Sequence, residues 1–155
     1  MRDGGQRAAF RPNRRHYGVR VALLLATTAL TSPVFIGSAL AQSLPTGGSV
    51  AVGTAAIAQS SSTLLTITQS SQSAVVNWQG FSIGQDTTVS IAQPNASSAI
   101  LNRVTGSTPS TIAGSLTANG QVYLVNPNGI AITPSGTVNA AGFVASTLGT
   151  VLSRP

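Results

Sequence analysis

The sequence predicts an all-β fold, and three observations carry this prediction. Short runs of apolar, often β-branched residues recur along the chain after its N-terminal segment. Gly, Pro, Asn and Ser separate these runs at the spacing expected of short strands joined by turns. Outside the N-terminal segment, no long window shows the period of an amphipathic helix. A sandwich, a barrel and a β-solenoid all remain compatible with this pattern.

Composition favours the solenoid over the other two architectures. Charged residues make up only 6% of the chain, and Lys and Glu are absent. A sandwich or barrel usually carries such residues on the face of each strand that meets water, whereas a solenoid can line its faces with ladders of Ser, Thr and Asn. Because the open ends of a solenoid expose strand edges, we also expect a cap, with its first strand in Gly47–Ile57.

Eight further runs are predicted strands, each bounded by turn residues. They are Leu64–Thr68, Ala74–Ile83, Thr88–Ala92, Ala99–Val104, Thr111–Leu116, Val122–Val125, Gly129–Ile132 and Thr137–Val144. The final run "STLGTVLSRP" ends without an evident capping element, so we interpret the chain as the start of something longer, truncated at its C-terminus.

Residues 1–41 have the layout of a signal peptide with a long basic region. Six arginines come first: Arg2, Arg7, Arg11, Arg14, Arg15 and Arg20. The apolar segment Val21–Ala41 follows, and the small residues Ala39 and Ala41 predict cleavage after Ala41. A transmembrane anchor is the alternative, because the segment is almost long enough to span a bilayer. The polar residues and Pro33 within it favour the cleaved signal peptide.

Several classes of function are excluded by what the remaining residues 42–155 contain. Cys is absent and the only His is His16, so a disulfide framework and a Cys or His metal site are not predicted. Asp86 is the only carboxylate side chain after residue 41, which leaves no acid–base pair and no base for a Ser nucleophile. The arginines are confined largely to the N-terminus and form no patch for nucleic acid. We predict no enzyme activity, no cofactor and no nucleic-acid partner.

The segment Asn126-Pro127-Asn128-Gly129-Ile130 stands between two predicted strands. Pro127 cannot donate to a sheet ladder and belongs at a corner. Asn128 and Gly129 suit positive φ and are expected to reverse the chain. Asn126 precedes Pro and is therefore expected to be extended. The segment is a turn by this chemistry, and it is also a candidate for recognition by another protein.

Three stretches carry a family resemblance. They are "VVNWQGFSIG" (Val75–Gly84), "AILNRVTGSTPSTIAGSLTANGQVYLVNPNGIAI" (Ala99–Ile132) and "GTVNAAGFVASTL" (Gly136–Leu148). Together they resemble the N-terminal two-partner secretion domain, or haemagglutination activity domain, of the filamentous haemagglutinin family. The resemblance covers roughly Ser49 to Leu148.

The resemblance implies a right-handed parallel β-helix over residues 42–155. It implies a module of an adhesin-like exoprotein that an outer-membrane β-barrel transporter recognises, and that nucleates folding at the cell surface. Export would then pass through the general secretion machinery, signal peptidase and the periplasm. The chain would end as a secreted or surface-bound protein.

The resemblance also implies roles for particular residues. The transporter would read Asn126–Ile130, directly or through the fold that the segment sets. Many members carry a second Asn-Pro-Asn upstream, where this chain has Gln93-Pro94-Asn95. The longer Gln side chain weakens the expected local Asx bond, so this motif is the weaker candidate. Trp78 is expected to be a packing anchor, and Asn102 a buried structural residue.

Two other functions remain open at this stage. The chain could be a short independent surface protein that binds host glycans or proteins through its Ser-, Thr- and Asn-rich face. It could also be a truncated remnant that keeps its secretion signals without adhesive activity. An enzyme on a β-helix is the weakest alternative, because fold does not carry catalysis without suitable residues.

Overall fold

The computed structural model describes residues 43–149, and all regular elements there are β-strands. They are β1 (Ser49–Val52), β2 (Ala55–Gln59), β3 (Leu64–Gln69), β4 (Ser73–Trp78), β5 (Thr88–Ala92), β6 (Ala99–Val104), β7 (Ser110–Ile112), β8 (Ser115–Ala118), β9 (Gln121–Val125), β10 (Ile130–Ile132), β11 (Thr137–Asn139) and β12 (Gly142–Ser146). These residues include no helix that is long and apolar enough to cross a membrane. The predicted signal peptide, with Ala39 and Ala41, lies outside the described residues.

The strands stack as a β-solenoid, which confirms the predicted fold class. The first sheet has the order β1-β4-β6-β9-β12, the second β2-β3-β5-β8-β11, and the third contains β7 and β10. The chain visits these sheets in turn, and each coil lays its strands parallel to those of the coil before. Ala99 of β6, for example, pairs with Gln121 of β9, and Gln121 pairs with Gly142 of β12.

A cap covers the N-terminal end of the solenoid, as predicted. Strand β1 pairs antiparallel with β4, and β2 pairs antiparallel with β3. Thr46 adds an antiparallel bridge to Gly80. Because all three segments run against the direction of the coils, they satisfy the first strand edges without extending the parallel stack.

The cap contains two strands, β1 and β2, where the sequence predicted its first strand within Gly47–Ile57. The chain turns at Gly53, whose φ is 76°. A Cβ at that position would collide with the backbone carbonyl of Ser73. Only glycine suits both the positive φ and the close approach of the neighbouring chain.

Three predicted strands are shorter than the apolar pattern suggested. The run Ala74–Ile83 leaves the strand at Trp78, although Phe81 and Ile83 are buried beyond it. The runs Thr111–Leu116 and Thr137–Val144 are each divided between two sheets. In a solenoid, side chains at the corners also point inward, so burial continues through residues where strand pairing stops.

The core is a stack of inward-facing side chains between the sheets. Along β4, β6 and β9 buried residues alternate with partly exposed ones, as expected when one face of a sheet is covered. Trp78 packs edge-to-face on Phe81 with 5.5 Å between the ring centroids. The Trp78 ring closes the core beneath the cap, where the absence of a side chain at Gly48 leaves room for it.

Candidate functional site

The segment Asn126–Ile130 forms the corner between β9 and β10. Asn126 is fully buried, whereas Pro127 and Asn128 are exposed. The Oδ1 atom of Asn126 accepts hydrogen bonds from the backbone N–H of Asn128 at 3.0 Å and from its side-chain Nδ2 at 2.9 Å. The N–H of Gly129 donates to the carbonyl of Asn126 at 3.1 Å. The corner is therefore closed by its own Asx-type bonds.

Asn126 also ties this corner to the coils on both sides. Its Nδ2 donates to the carbonyl of Thr108 at 3.0 Å and to Oγ of Ser110 at 2.9 Å, both in the preceding coil. Its backbone N–H donates to the carbonyl of Ser146 in the following coil at 3.0 Å. Through its side chain and its backbone, one buried residue thus links three coils at this corner.

The exposed part of the corner is small. Nδ2 of Asn128 donates to the carbonyl of Gly106 at 2.8 Å as well as to Asn126. The Oδ1 atom of Asn128 accepts no hydrogen bond from residues 43–149. A partner that approaches the corner would therefore meet the ring of Pro127 and the carbonyl oxygen of the Asn128 amide, while Asn126 stays inaccessible.

The expected chain reversal at Asn128-Gly129 is wrong. Gly129 has a φ of 119°, but the φ of Asn128 is not positive. The chain turns from the first sheet into the third and continues the coil, and β9 and β10 do not pair. A single residue with positive φ is enough for this corner, whereas a type I′ hairpin turn would need two.

The upstream motif has a different geometry from an Asn-Pro-Asn turn. Gln93 is buried, and its Nε2 donates to Oε1 of Gln69 at 3.1 Å and to the carbonyl of Ser98 at 3.1 Å. Asn119 of the next coil pairs with the backbone of Gln93, donating to its carbonyl and accepting from its N–H, both at 2.7 Å. The longer side chain thus reaches the neighbouring coil instead of making a local Asx bond.

Asn95 supplies the local turn in this motif. Its Oδ1 accepts from the backbone N–H of Ser97 at 3.0 Å and from Oγ of Ser97 at 2.7 Å. Its Nδ2 donates to Oε1 of Gln72 in the preceding coil at 3.0 Å. Asn95 and Pro94 are both exposed.

The structure does not bring the two motifs together. Gln93–Asn95 precedes β6, whereas Asn126–Ile130 follows β9. Since Ala99 pairs with Gln121 and Arg103 with Val125, β6 and β9 run side by side in the same direction. One motif precedes the start of β6 and the other follows the end of β9, so they lie at opposite strand ends of the first sheet. A partner that contacts both corners must cross the outer face of that sheet.

Trp78 and Asn102 meet inside the core. Nε1 of Trp78 donates to Oδ1 of Asn102 at 3.0 Å, and both side chains are buried. Asn102 lies between Val76 and Leu124 in the inward column of the first sheet. Its Nδ2 has no hydrogen-bond partner, so the amide serves chiefly as the acceptor for the indole.

The sequence analysis did not identify the residues that accept hydrogen bonds from the Asn126 and Gln93 side chains. Ser110 and Thr108 accept from Asn126, and Gln69 accepts from Gln93 across 24 positions of sequence. The signal for the second pair was a Gln recurring at about the length of one solenoid coil. No sequence signal pointed to the first pair, because Ser and Thr are too common in this chain to mark a position.

The described residues carry few titratable side chains. They contain no group of three or more His, Cys, Asp or Glu side chains. An open polar groove of about 380 Å³ lies between the second and third sheets, lined by Asp86, Thr87, Ser115 and Thr137 among others. Asp86 has a φ of 62° at its rim, a conformation that Asp adopts in turns.

Comparison with known proteins identifies the family. The family model for the TPS (two-partner secretion) domain matches residues 41–153. The chain is 42% identical over 131 residues to a heme/hemopexin-binding protein of Haemophilus influenzae, covering 84% of this chain and 14% of that protein. A second Haemophilus influenzae protein of the same name is 45% identical over 95 residues, which cover 61% of this chain and 10% of that protein.

A solved structure agrees with the family model. The crystal structure of the HMW1 secretion domain from Haemophilus influenzae aligns with a TM-score of 0.65 at 41% identity, covering 70% of this chain and 28% of that one. The chain thus spans a small part of the curated relatives it matches. The two-partner secretion resemblance seen in the sequence is confirmed, and the chain belongs to the TPS secretion domain family.

Proposed function

We propose that this domain directs its exoprotein to an outer-membrane transporter and then templates the folding of the chain that follows it. Secretion domains of this family belong to exoproteins of two-partner systems, which are secreted through the outer membrane by a dedicated transporter. Recognition of the transporter and nucleation of folding are the finer steps of our proposal.

The observation that supports templating is the difference between the two ends of the solenoid. The cap blocks the N-terminal edges with antiparallel strands. At the other end β10, β11 and β12 each pair on one side only within the described residues. Their free N–H and C=O groups offer a template for parallel strands, and such an edge favours strand addition. Growth of the solenoid therefore has one available direction.

The corner at Asn126–Ile130 is the proposed recognition element. Its form is set by the side-chain hydrogen bonds of Asn126 and Asn128, so its exposed atoms are held in a fixed arrangement before a partner arrives. Pro127 and Oδ1 of Asn128 are the groups that the transporter would contact. Asn126 would act through the fold, because its side chain is inaccessible.

Earlier and later steps of export complete the proposal. Residues 1–41 would pass the chain to the general secretion machinery, signal peptidase would cleave after Ala41, and the mature chain would cross the periplasm. The exoprotein would then be secreted or held at the cell surface. A host glycan or protein would be bound by the part of the exoprotein beyond this domain.

The names of the curated relatives refer to heme and hemopexin binding, but we assign neither to this domain. The match covers 14% of the longer relative, so its binding activity need not reside in the shared part. Residues 43–149 contain no His, Cys or Met, the common axial ligands of heme iron. Adhesion to a host protein or glycan by this chain alone is the competing function.

The test separates recognition from folding. The full chain would be produced with its own signal peptide in cells with and without a candidate transporter, and the secreted fraction measured. We expect export to require the transporter, and Asn128→Ala to reduce export while circular dichroism of the purified chain stays unchanged. Asn126→Ala should reduce export together with the β-sheet signal.

Two results would contradict the proposal. Export that is the same without any transporter would favour an independent surface protein, which glycan or host-protein binding by the purified chain would then support. Normal transporter-dependent export of Asn128→Ala would keep the domain as a secretion module but remove Asn128 from the contact. Pro127→Ala offers a matched variant at the neighbouring exposed position.

A further inference from the structure

The outer faces of the first and second sheets differ sharply in chemistry. On the first sheet Val52, Val75, Leu101, Tyr123 and Val144 are joined by strand register into one outward column, which we term the outer stripe. On the second sheet the equivalent column is Ala58, Thr66, Ser90, Thr117 and Asn139, which we term the hydroxyl column. Both columns run from the cap to the last coil.

The outer stripe remains accessible along its length. Val52 is 58% exposed, Tyr123 is 39% exposed and Val144 is 51% exposed. Val75 and Leu101 are partly exposed between them. Ile132 and Leu148 are exposed elsewhere, but among residues 43–149 only the outer stripe aligns outward apolar side chains on every strand of one sheet. A contiguous apolar column on an exposed sheet face is unfavourable in water and indicates an interaction surface. Tyr is also among the residues enriched where proteins meet.

The stripe is continuous with the proposed recognition corner. Tyr123 lies in β9, and this strand leads directly into Asn126-Pro127-Asn128. Gln93–Asn95 lies at the opposite strand ends of the same sheet, before β6. The outer stripe therefore lies between the two corners, on the outer face of the first sheet.

A single positive charge borders the stripe. Arg103 faces outward from β6 two residues after Leu101, and its Nε donates to Oδ1 of Asn77 at 3.0 Å. Asp86 is the only acidic residue among residues 43–149, and it lies in the corner that precedes β5 of the second sheet. A second copy of this domain would thus bring no carboxylate from its own outer stripe to Arg103. The charge favours an acidic partner of another kind.

We propose that the outer stripe is the surface on which the transporter docks, through an apolar patch with an acidic residue placed opposite Arg103. This inference rests on the proposed function, because it takes the transporter as the partner. It extends the contact from the exposed atoms of one corner to a whole face of the first sheet. The hydroxyl column stays outside the contact.

Site-specific photo-crosslinking tests the surface directly. The photo-reactive residue p-benzoylphenylalanine would replace Tyr123 in the full chain, and Thr117 in a matched control. Thr117 faces outward from β8 in the same coil, in the hydroxyl column. The cells would contain the transporter whose deletion abolishes export of this chain. We expect irradiation to give an adduct at position 123 that contains this transporter, and at least about tenfold less at position 117.

Other outcomes overturn the inference in distinguishable ways. An adduct of twice the chain's mass at position 123 would make the stripe a contact between copies. Equal adducts at positions 117 and 123, or none at 123 while export still needs the transporter, would remove the stripe and leave the proposed function standing. Export that does not depend on any transporter would remove both.

Charge reversal tests the acidic partner independently. Arg103→Gln keeps a side-chain donor for Asn77, whereas Arg103→Glu places a carboxylate against the proposed acid. We expect Arg103→Glu to lower the adduct at position 123 about tenfold and Arg103→Gln to lower it less, since like charges across an interface repel. Equal adducts from both variants and the unsubstituted chain would overturn the choice of an acidic partner surface.

Discussion

At the scale of single residues, buried amides organise the coils. Asn126, Gln93 and Asn102 are all buried, and each makes a side-chain hydrogen bond to a residue of a neighbouring coil. A buried amide without partners is costly, whereas one with partners fixes the register of the groups it joins. The Ser and Thr ladders expected from the sequence do stack on the second sheet, but side-chain bonds between coils come mainly from Asn and Gln.

Replacement of Asn126 should lower the free energy of unfolding more than replacement of Asn128. Asn126→Ala leaves the carbonyl of Thr108 and the buried Ser110 hydroxyl without their donor, and we expect a loss of about 3 kcal/mol in the free energy of unfolding. Asn128→Ala removes bonds at an exposed site and should cost about 1 kcal/mol or less. Urea denaturation of both variants measures the difference; equal losses would show that Asn126 is no internal anchor.

The Trp78–Asn102 pair should show strong coupling in a double-mutant cycle. Asn102→Leu removes the acceptor of the buried indole N–H and should cost about 2 kcal/mol. Once Trp78→Phe has removed that N–H, the same Asn102→Leu change should cost about 1 kcal/mol less than it does alone. Denaturation of the two single variants and the double variant checks this. Additive losses would mean that the hydrogen bond contributes nothing beyond packing.

At the scale of elements, the corners decide where strands begin and end. Gly114 separates β7 from β8, and a Cβ there would collide with the carbonyls of Gly84 and Thr87 in the preceding coil. Gly120 stands beside the buried Gln93 side chain before β9 in the same way. Close stacking at corners therefore requires residues without side chains, and it shortens strands that the apolar pattern alone would extend.

Replacement of Gln93 by Asn should destabilise this chain. The shorter side chain of Gln93→Asn would lose its bonds to Gln69 and Ser98, and the buried Gln69 oxygen would lose its donor. We expect a loss of about 2 kcal/mol in the free energy of unfolding.

The matched control for this change is Gln85→Asn. Gln85 is exposed, and its side chain makes no hydrogen bond to another of the residues 43–149. Its replacement should change stability by less than about 0.5 kcal/mol. A stable Gln93→Asn variant would indicate that position 93 can adopt the local Asx turn after all.

At the scale of the whole molecule, the domain is held together almost without charge. Asp86 and Arg103 are the only charged side chains among residues 43–149, and they lie on different faces. Stability therefore rests on the apolar core, on backbone ladders and on amide bonds. None of these changes its protonation between mildly acidic and mildly alkaline pH.

The melting temperature of residues 42–155 should accordingly vary little with pH and salt. The described residues contain no His, Lys, Glu or Cys, so few protons are bound or released on unfolding. We expect a change of less than about 3 °C between pH 5 and pH 9, and a similarly small change between low and high salt. Differential scanning calorimetry measures both. A steep step in either series would reveal a charge interaction that residues 43–149 do not provide.

The sequence by itself determined the class of the fold and the family. Turn residues between short apolar runs indicated strands, and three long stretches carried the two-partner secretion resemblance. These features are local, because a turn residue acts on its own backbone and a motif is read along the chain. The intact Asn126–Ile130 segment was predicted to be a turn for the same reason.

Only the tertiary structure decided which side chains meet. Asn126 is buried while Pro127 is exposed, Gln93 reaches Gln69, and Tyr123 joins an apolar column, because each depends on register between coils. Residues that are stacked in this solenoid are separated by a full coil, such as the 24 positions between Gln69 and Gln93. Corner lengths differ from coil to coil, so spacing along the chain does not specify the register. The outer stripe and the hydroxyl column became visible only when pairing aligned their members.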